Sequence, residues 1–546
     1  MHWINGWHTR NLRGDIYGGL TAAVVALPLA LAFGVSSGAG PIAGLYGAIF
    51  VGLFAALFGG TPSQVSGPTG PMTVVMAAIF TQYSALGPVE GPAIAFTVVM
   101  LGGLLQILFG VLRVGRFISF VPQPVISGFM SGIGVIIILL QLRPLLGFDA
   151  AKGPLEALQK LPEAIAAPSF ATLALGLTTL AIVYLTPARM ARLVPPPLIA
   201  LLAGTLIALP LAPELISVLG EIPSGLPSPH LPTIRVELLP AMLQSALTLA
   251  LLGTIDSLLT SLVADNITRS QHKSDRELIG QGIGNTIAGA FGGLPGAGAT
   301  MRTVVNVRAG GQTPISGALH ALVLLAVALG LGGAASHIPH VVLAGILIKV
   351  GTDIVDWDYL KRLRHTPRAG VVIMLSVFFI TVFVDLISAV AVGMGMASLV
   401  FLKRQTDVQL ASIRAIRETD EQAPLSAEEQ RLLAELDGRA LLFQLGGPMS
   451  FGAAKGMVGM LAECGDYEVL VLDLSDMPAI DTTAARALED MILAAQAADR
   501  PVIVAGTRPQ IRSFLAGQGV LRHLPAEAEQ PSRLAGLSRA AALLAD

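Results

Sequence analysis

Two short stretches interrupt the apolar runs of this sequence with residues suited to holding an anion. Residues 66–72 read SGPTGPM and residues 296–302 read GAGATMR. Each places helix-breaking or small residues ahead of a threonine, Thr69 or Thr300, and each leads into an apolar run short for a full membrane span. In hydrocarbon an unsatisfied backbone group costs several kcal/mol, so a break there needs something to meet the freed N–H groups. A helix starting at either threonine aims those groups and a partial positive charge at a ligand, and proline is accommodated in a first helical turn. Breaks at corresponding positions of two halves point to a transporter binding site near the midplane. The ligand implied is an anion, each helix terminus contributing roughly 0.3–2 kcal/mol. The plainer alternative is a pair of glycine-rich loops at a membrane surface.

Few ionisable groups lie in the apolar runs around these breaks. Asp256 sits in GTIDSLLTSLVAD with Thr260 four residues on, hence on the same helix face. Arg302 falls in the first turn of the second short helix. A charge inside a membrane costs roughly 2.5–3.5 kcal/mol on insertion scales and is by default a functional group. Two readings stand: an Asp256–Arg302 ion pair that holds the second half together, or groups that act on the ligand and a coupling ion. A pair that opens on ion or proton binding would be both.

The surrounding elements follow from composition. Of 546 residues 53% are hydrophobic and 13% charged, with mean hydropathy +0.71, which excludes an ordinary water-soluble domain. Spans are expected at about 16–35, 43–60, 90–112, 120–147, 170–186, 194–211, 239–265, 317–333, 338–355, 369–385 and 386–403, with shorter segments at 67–83, 279–293 and 299–315. The run at 16–35 lacks a cleavage site and is expected to remain as the first span. Fourteen spans with both termini cytoplasmic put Arg113, Arg116, Arg189, Arg192, Arg269, Lys273, Arg276, Arg308, Lys361, Arg362, Arg364, Arg368, Lys403 and Arg404 on the inner side, as cytoplasmic loops require. The outer connection at 212–238 instead holds Glu214, Glu221 and Glu237 against Arg235. A charged linker at 405–437 precedes a small module at 438–546, where the runs ALLFQL, EVLVLDLS and PVIVAGT alternate with helix-like stretches. The lone Cys464 excludes an intramolecular disulfide and a cysteine-based metal site.

Four stretches, LPLALAFGVSSGAGPIAGLYGA (27–48), SGFMSGIGVIIILLQL (127–142), ELIGQGIGNTIAGAFGGLPGAGAT (277–300) and LVLDLSDMPAIDTTAARALED (470–490), together resemble the SulP family of anion transporters over nearly the whole chain. The resemblance implies a polytopic α-helical membrane protein of fourteen spans in a seven-plus-seven inverted repeat, with core and gate subdomains. It further implies elevator-type movement, a homodimer in lipid, and a cytoplasmic C-terminal α/β STAS domain. The transmembrane domain would cover 1–404, with repeats at about 16–211 and 239–404. PTGPMTVVM, IDSLLTSLVAD and GAGATM are most similar to the sodium-bicarbonate symporter branch. That likeness implies an anion between Thr69 and Thr300, with backbone from Gly70, Ala299 and Met301, an aromatic lining from Phe33, and a Na+ site at Asp256, Thr260 and the backbone of Gly298 and Thr300. Arg302 instead resembles the arginine of the wider family, and could displace a bound Na+ or strengthen binding of a divalent or carboxylate anion.

The expected function is secondary active transport of a small anion in a bacterial inner membrane, bicarbonate first, coupled to Na+ or H+. Sulfate or fumarate symport with protons, and uncoupled exchange or channel flow, are the alternatives. With no nucleotide loop, catalytic triad or metal cluster in the sequence, neither an enzyme nor a nucleic-acid partner nor a cofactor beyond Na+ is expected. IDTTAARAL resembles the STAS segment in which a Ser or Thr after Asp is phosphorylated, and Thr482 holds that place. Helix capping by Asp481 and Thr482 accounts for the same residues.

Overall fold

The computed structural model describes residues 4–116, 121–151, 153–191, 194–210, 216–219, 228–330, 336–384, 386–418 and 425–545. Arg192, Glu214 and Glu221 of the charge pattern lie outside them. The chain divides into two compact units, Met1–Met394 and Gly395–Asp546.

In the first unit α1 (Leu12–Ser36) and α2 (Pro41–Phe58) lead to strand β1 (Ser66–Gly67) and α3 (Gly70–Tyr83), then α4 (Glu90–Val111), α5 (Gln123–Leu145), α6 (Pro154–Ala166), α7 (Phe170–Leu185) and α8 (Pro196–Ala208). The chain continues through α9 (Leu239–Thr268), α10 (Ser274–Ala290), strand β2 (Ala297–Gly298), α11 (Thr300–Arg308), α12 (Pro314–Gly330), α13 (His340–Ile354) and α14 (Arg368–Phe383). Helix α15 (Leu386–Ala411) runs on into the second unit. By length and apolarity α1, α2, α4, α5 and the run Val236–Thr268 can each cross a membrane, and α6 with α7, bent by 116°, make a further candidate. Other apolar helices are shorter, with 13, 17 and 16 residues in α8, α12 and α14, against the roughly 20 that a straight crossing takes. Helix α6 occupies a stretch expected to be a connection. It buries Ala157 and Ala164 and exposes Leu155, Leu158 and Ile165, so it is amphipathic rather than uniformly apolar.

Helices in this unit cross through small residues, because in lipid close backbone contact replaces the hydrophobic drive. A Cβ added to Gly103 of α4 would lie 2.6 Å from the carbonyl oxygen of Gly282 on α10, and one added to Gly282 would lie 2.5 Å from that of Gly103. The two short strands pair antiparallel, Ser66 opposite Gly298 and Gly67 opposite Ala297. That ladder brings the starts of α3 and α11 together.

In the second unit strands β3 (Ile413–Ile416), β4 (Ala440–Leu445), β5 (Val469–Asp473), β6 (Val502–Ala505) and β7 (Glu529–Gln530) form one sheet in that order. The first pair is antiparallel and the rest are parallel. Leu441, Phe443 and Leu472 pack on one face with Met457 and Leu488, while Leu442, Val471 and Ile503 pack on the other with Leu433 and Leu537. Unbroken apolar strands are what a parallel sheet covered on both faces requires. Residues 405–437 hold the end of α15, β3 and the helix Ala427–Glu435, with 419–424 outside the described residues.

Candidate functional site

The first turn of α3 is shaped by its prolines. Thr69 is extended (φ −120°, ψ 162°) and Pro71 stands in the opening turn, where its missing N–H removes no helical bond. The first intrahelical bond runs from Thr73 N to Thr69 O at 2.9 Å, so the earlier N–H groups have no partner within the helix. Helix α11 starts the same way, with Thr303 N donating to Ala299 O at 2.8 Å.

Both N-termini open on one cavity of about 210 Å³. It is lined by Phe33, Thr69, Gly70, Asp256, Gly298, Ala299, Thr300, Met301 and Arg302, together with Leu29, Val350 and Asp353. Thr260 stands behind this wall, donating to the Gly298 carbonyl at 2.9 Å and lying 2.7 Å from Thr300 Oγ1. Thr69 donates its hydroxyl proton to Asp256 Oδ2 at 2.7 Å. The Arg302 guanidinium donates through Nη2 to the carbonyl oxygen of Pro68, while Nη1 is buried with no partner among the described residues. A direct Asp256–Arg302 ion pair, one of the two sequence readings, is therefore not what holds this site: Arg302 ties the second half-helix to the approach of the first. Gly67 permits the tie. Its φ is +150°, and a Cβ there would lie 2.7 Å from Arg302 Nη1.

Behind each half-helix lies a polar support that the sequence reading missed. Glu277 Oε2 accepts the N–H groups of Gly60 and Thr61, both at 2.8 Å, and Oε1 accepts from the Gln64 and Gln281 amides, also at 2.8 Å. On the other side Asn285 bonds both the N–H and the carbonyl of Gly296, at 2.7 and 3.0 Å, and Ser257 Oγ accepts the Gly298 N–H at 3.1 Å. Glu277, Gln281 and Asn285 recur every four residues in ELIGQGIGN. A polar stripe on one face of an otherwise apolar helix was the available signal.

Thr482 lies in the other unit, exposed, as the first residue of the helix Thr482–Ala497. Asp481 does the capping: Oδ1 accepts from Ala484 N at 2.8 Å and Oδ2 from Phe451 N at 2.7 Å.

Residues 12–377 match the sulfate permease family, and residues 431–529 match the STAS domain. The chain belongs to the sulfate permease family. It is 47% identical to the bicarbonate transporter BicA of Synechocystis sp. over 527 residues, 96% of this chain and 93% of the relative. A second bicarbonate transporter BicA, from Picosynechococcus sp., is 46% identical over 546 residues, 99% of this chain and 96% of the relative. The solved transmembrane domain of a cyanobacterium bicarbonate transporter BicA is 52% identical, with a TM-score of 0.68, covering 71% of this chain and all (100%) of that one. The murine Slc26a9 anion transporter, at 19% identity and TM-score 0.82 over 98% of this chain and 92% of that one, shares the fold. This sulfate permease family member is thus a membrane transporter of anions and not an enzyme, with a STAS domain in its C-terminal part.

Proposed function

We propose that this chain carries bicarbonate across a bacterial inner membrane as a secondary active transporter. The supporting observation is the meeting of two half-helix N-termini on one cavity, with the Arg302 guanidinium beside them. Oriented N–H groups and a planar guanidinium suit a planar oxyanion, and relatives at 46–47% identity bear the name bicarbonate transporter. In this reading the anion lies between Thr69 and Thr300, takes backbone N–H groups of Gly70, Thr300 and Met301, and is flanked by Phe33, with Ala299 lining the site while its own N–H donates to the Val65 carbonyl at 2.9 Å.

Residues 1–404 then form fourteen spans in a seven-plus-seven inverted repeat of core and gate, moving elevator-fashion, and 438–546 form the body of the cytoplasmic STAS domain, to which β3 and the helix Ala427–Glu435 of the expected 405–437 linker also contribute. A strand from each half meeting antiparallel is what an in-plane two-fold relation asks for, and the basic residues collect in the loops assigned inside. Both termini lie in the cytoplasm and the protein works as a homodimer in lipid. Asp256, Thr260 and the Gly298 carbonyl supply oxygen donors, the set a hard cation takes, and would hold Na+; with Arg302 on Pro68, Asp256 is also available to carry H+. Thr482 is a candidate phosphorylation site.

The unpartnered Nη1 of Arg302 would meet the extra charge of sulfate or a dicarboxylate such as fumarate, and the second reading is a proton symporter of such an anion or an uncoupled exchanger. Proteoliposome uptake of labelled bicarbonate, sulfate and fumarate under imposed Na+ or H+ gradients separates these. Gradient-driven bicarbonate uptake is expected; preference for sulfate or fumarate, or indifference to both gradients, selects the second reading. Uptake of none of the three overturns both.

A further inference from the structure

Asp353 lines the same cavity, and Lys349, one turn before it on α13, forms an ion pair with it. Their side chains are 26% and 29% exposed, whereas Asp256 and Arg302 are 6% and 2% exposed. Asp353 therefore lies on the open side of the cavity, with the exposed Thr300 and Met301, and opposite the buried Asp256 and Arg302. Lys349 stands beside it, outside the cavity wall. The pair is held in place from α7: Lys349 Nζ sits 5.4 Å from the centroid of the Tyr184 ring, and the Tyr184 hydroxyl lies 2.8 Å from Thr352 Oγ1.

A lysine that only reaches for the membrane surface needs no acidic partner on a cavity wall, and ionisable groups within membrane spans mark ion pathways with a partner to be named. A carboxylate at the entrance of an anion site repels the substrate, and an ammonium one turn away offsets it. We propose that Lys349 and Asp353 are a specificity-determining charge pair that sets how readily an anion enters and leaves the site, an inference that rests on the transport reading above. Asp353 holds back anions and keeps Lys349 from trapping them; Lys349 keeps the entrance passable.

The test is the KM and kcat for labelled bicarbonate uptake by the full-length protein in proteoliposomes, for Asp353→Asn, Lys349→Gln and the double variant, at low and high ionic strength. Asp353→Asn is expected to lower KM and Lys349→Gln to raise it, each about fivefold, the size a partly exposed charge pair supports. Both shifts should shrink at high salt, where exposed charges are screened, and the double variant should return near the unaltered KM. Shifts in the same direction, shifts indifferent to salt, or no shift in a protein that transports overturn the pair alone. Absence of saturable uptake by the unaltered protein overturns the transport reading and the pair with it.

Discussion

The two half-helices that meet at the cavity are built unlike each other. The first enters through Pro68, Thr69, Gly70 and Pro71 and carries no charge in its opening turn. Its approach is anchored by a buried carboxylate, Glu277, with four donors around it. The second has no proline in its opening turn, Pro295 lying earlier in its approach, carries Arg302 in its first turn, and is supported by the neutral groups of Asn285 and Ser257. Arg302 of the second reaches the Pro68 carbonyl of the first. The first half is thus proline-framed and carboxylate-anchored, and the second brings the charge. Substitutions behind the first half should be felt in stability, and substitutions in the second should be felt in anion handling.

The largest expected effect comes from filling the shared space. Thr300→Phe should abolish saturable uptake while the melting temperature stays near the unaltered value. Thr69→Phe should abolish uptake and also lower the melting temperature, because Asp256 loses its hydroxyl donor; uptake assays paired with thermal unfolding decide it. Next is Glu277→Ala, which leaves several buried donors without an acceptor at roughly 1–3 kcal/mol each. It is expected to destabilise by about 3 kcal/mol or more, with KM little changed in the protein that still folds. Asn285→Ala should cost less, about 1–3 kcal/mol by the same reasoning; equal costs would erase the contrast between the two supports.

Arg302→Gly follows. Losing a charged hydrogen bond worth roughly 1.5–3 kcal/mol should raise the anion KM about tenfold or more. New Na+ stimulation with an unchanged KM would instead place Arg302 on the coupling site. The smallest effect is in the sheet unit, where Asp481→Ala removes a cap worth about 1 kcal/mol. Unfolding of the full-length protein should register that loss, and the anion KM should stay where it was.

The breaks at Thr69 and Thr300 were legible because glycine and proline inside apolar runs violate the local rule for a span, and Asp256 and Arg302 because charge there violates it again. Glu277 and Gln281 were not, since Glu277 acts on Gly60 and Gln64 more than two hundred residues away, and near a helix start such residues read as loop polarity. Lys349 and Asp353 were passed over for a similar reason, at the end of an apolar run. The Arg302 bond to Pro68 depends on the β1–β2 register, and no periodicity reports a pairing between two-residue strands. In the sheet unit β4, β5 and β6 were plain as apolar runs, whereas β3 was hidden in a charged stretch because its central residues, Arg414 and Ala415, are exposed.

One site shared by two helix termini has a stoichiometric signature. Equilibrium titration of the purified full-length protein with bicarbonate should give one anion per chain, and Thr69→Phe or Thr300→Phe alone should remove all of that binding. Normal binding by both variants, or a second site that survives when either is changed, would contradict it.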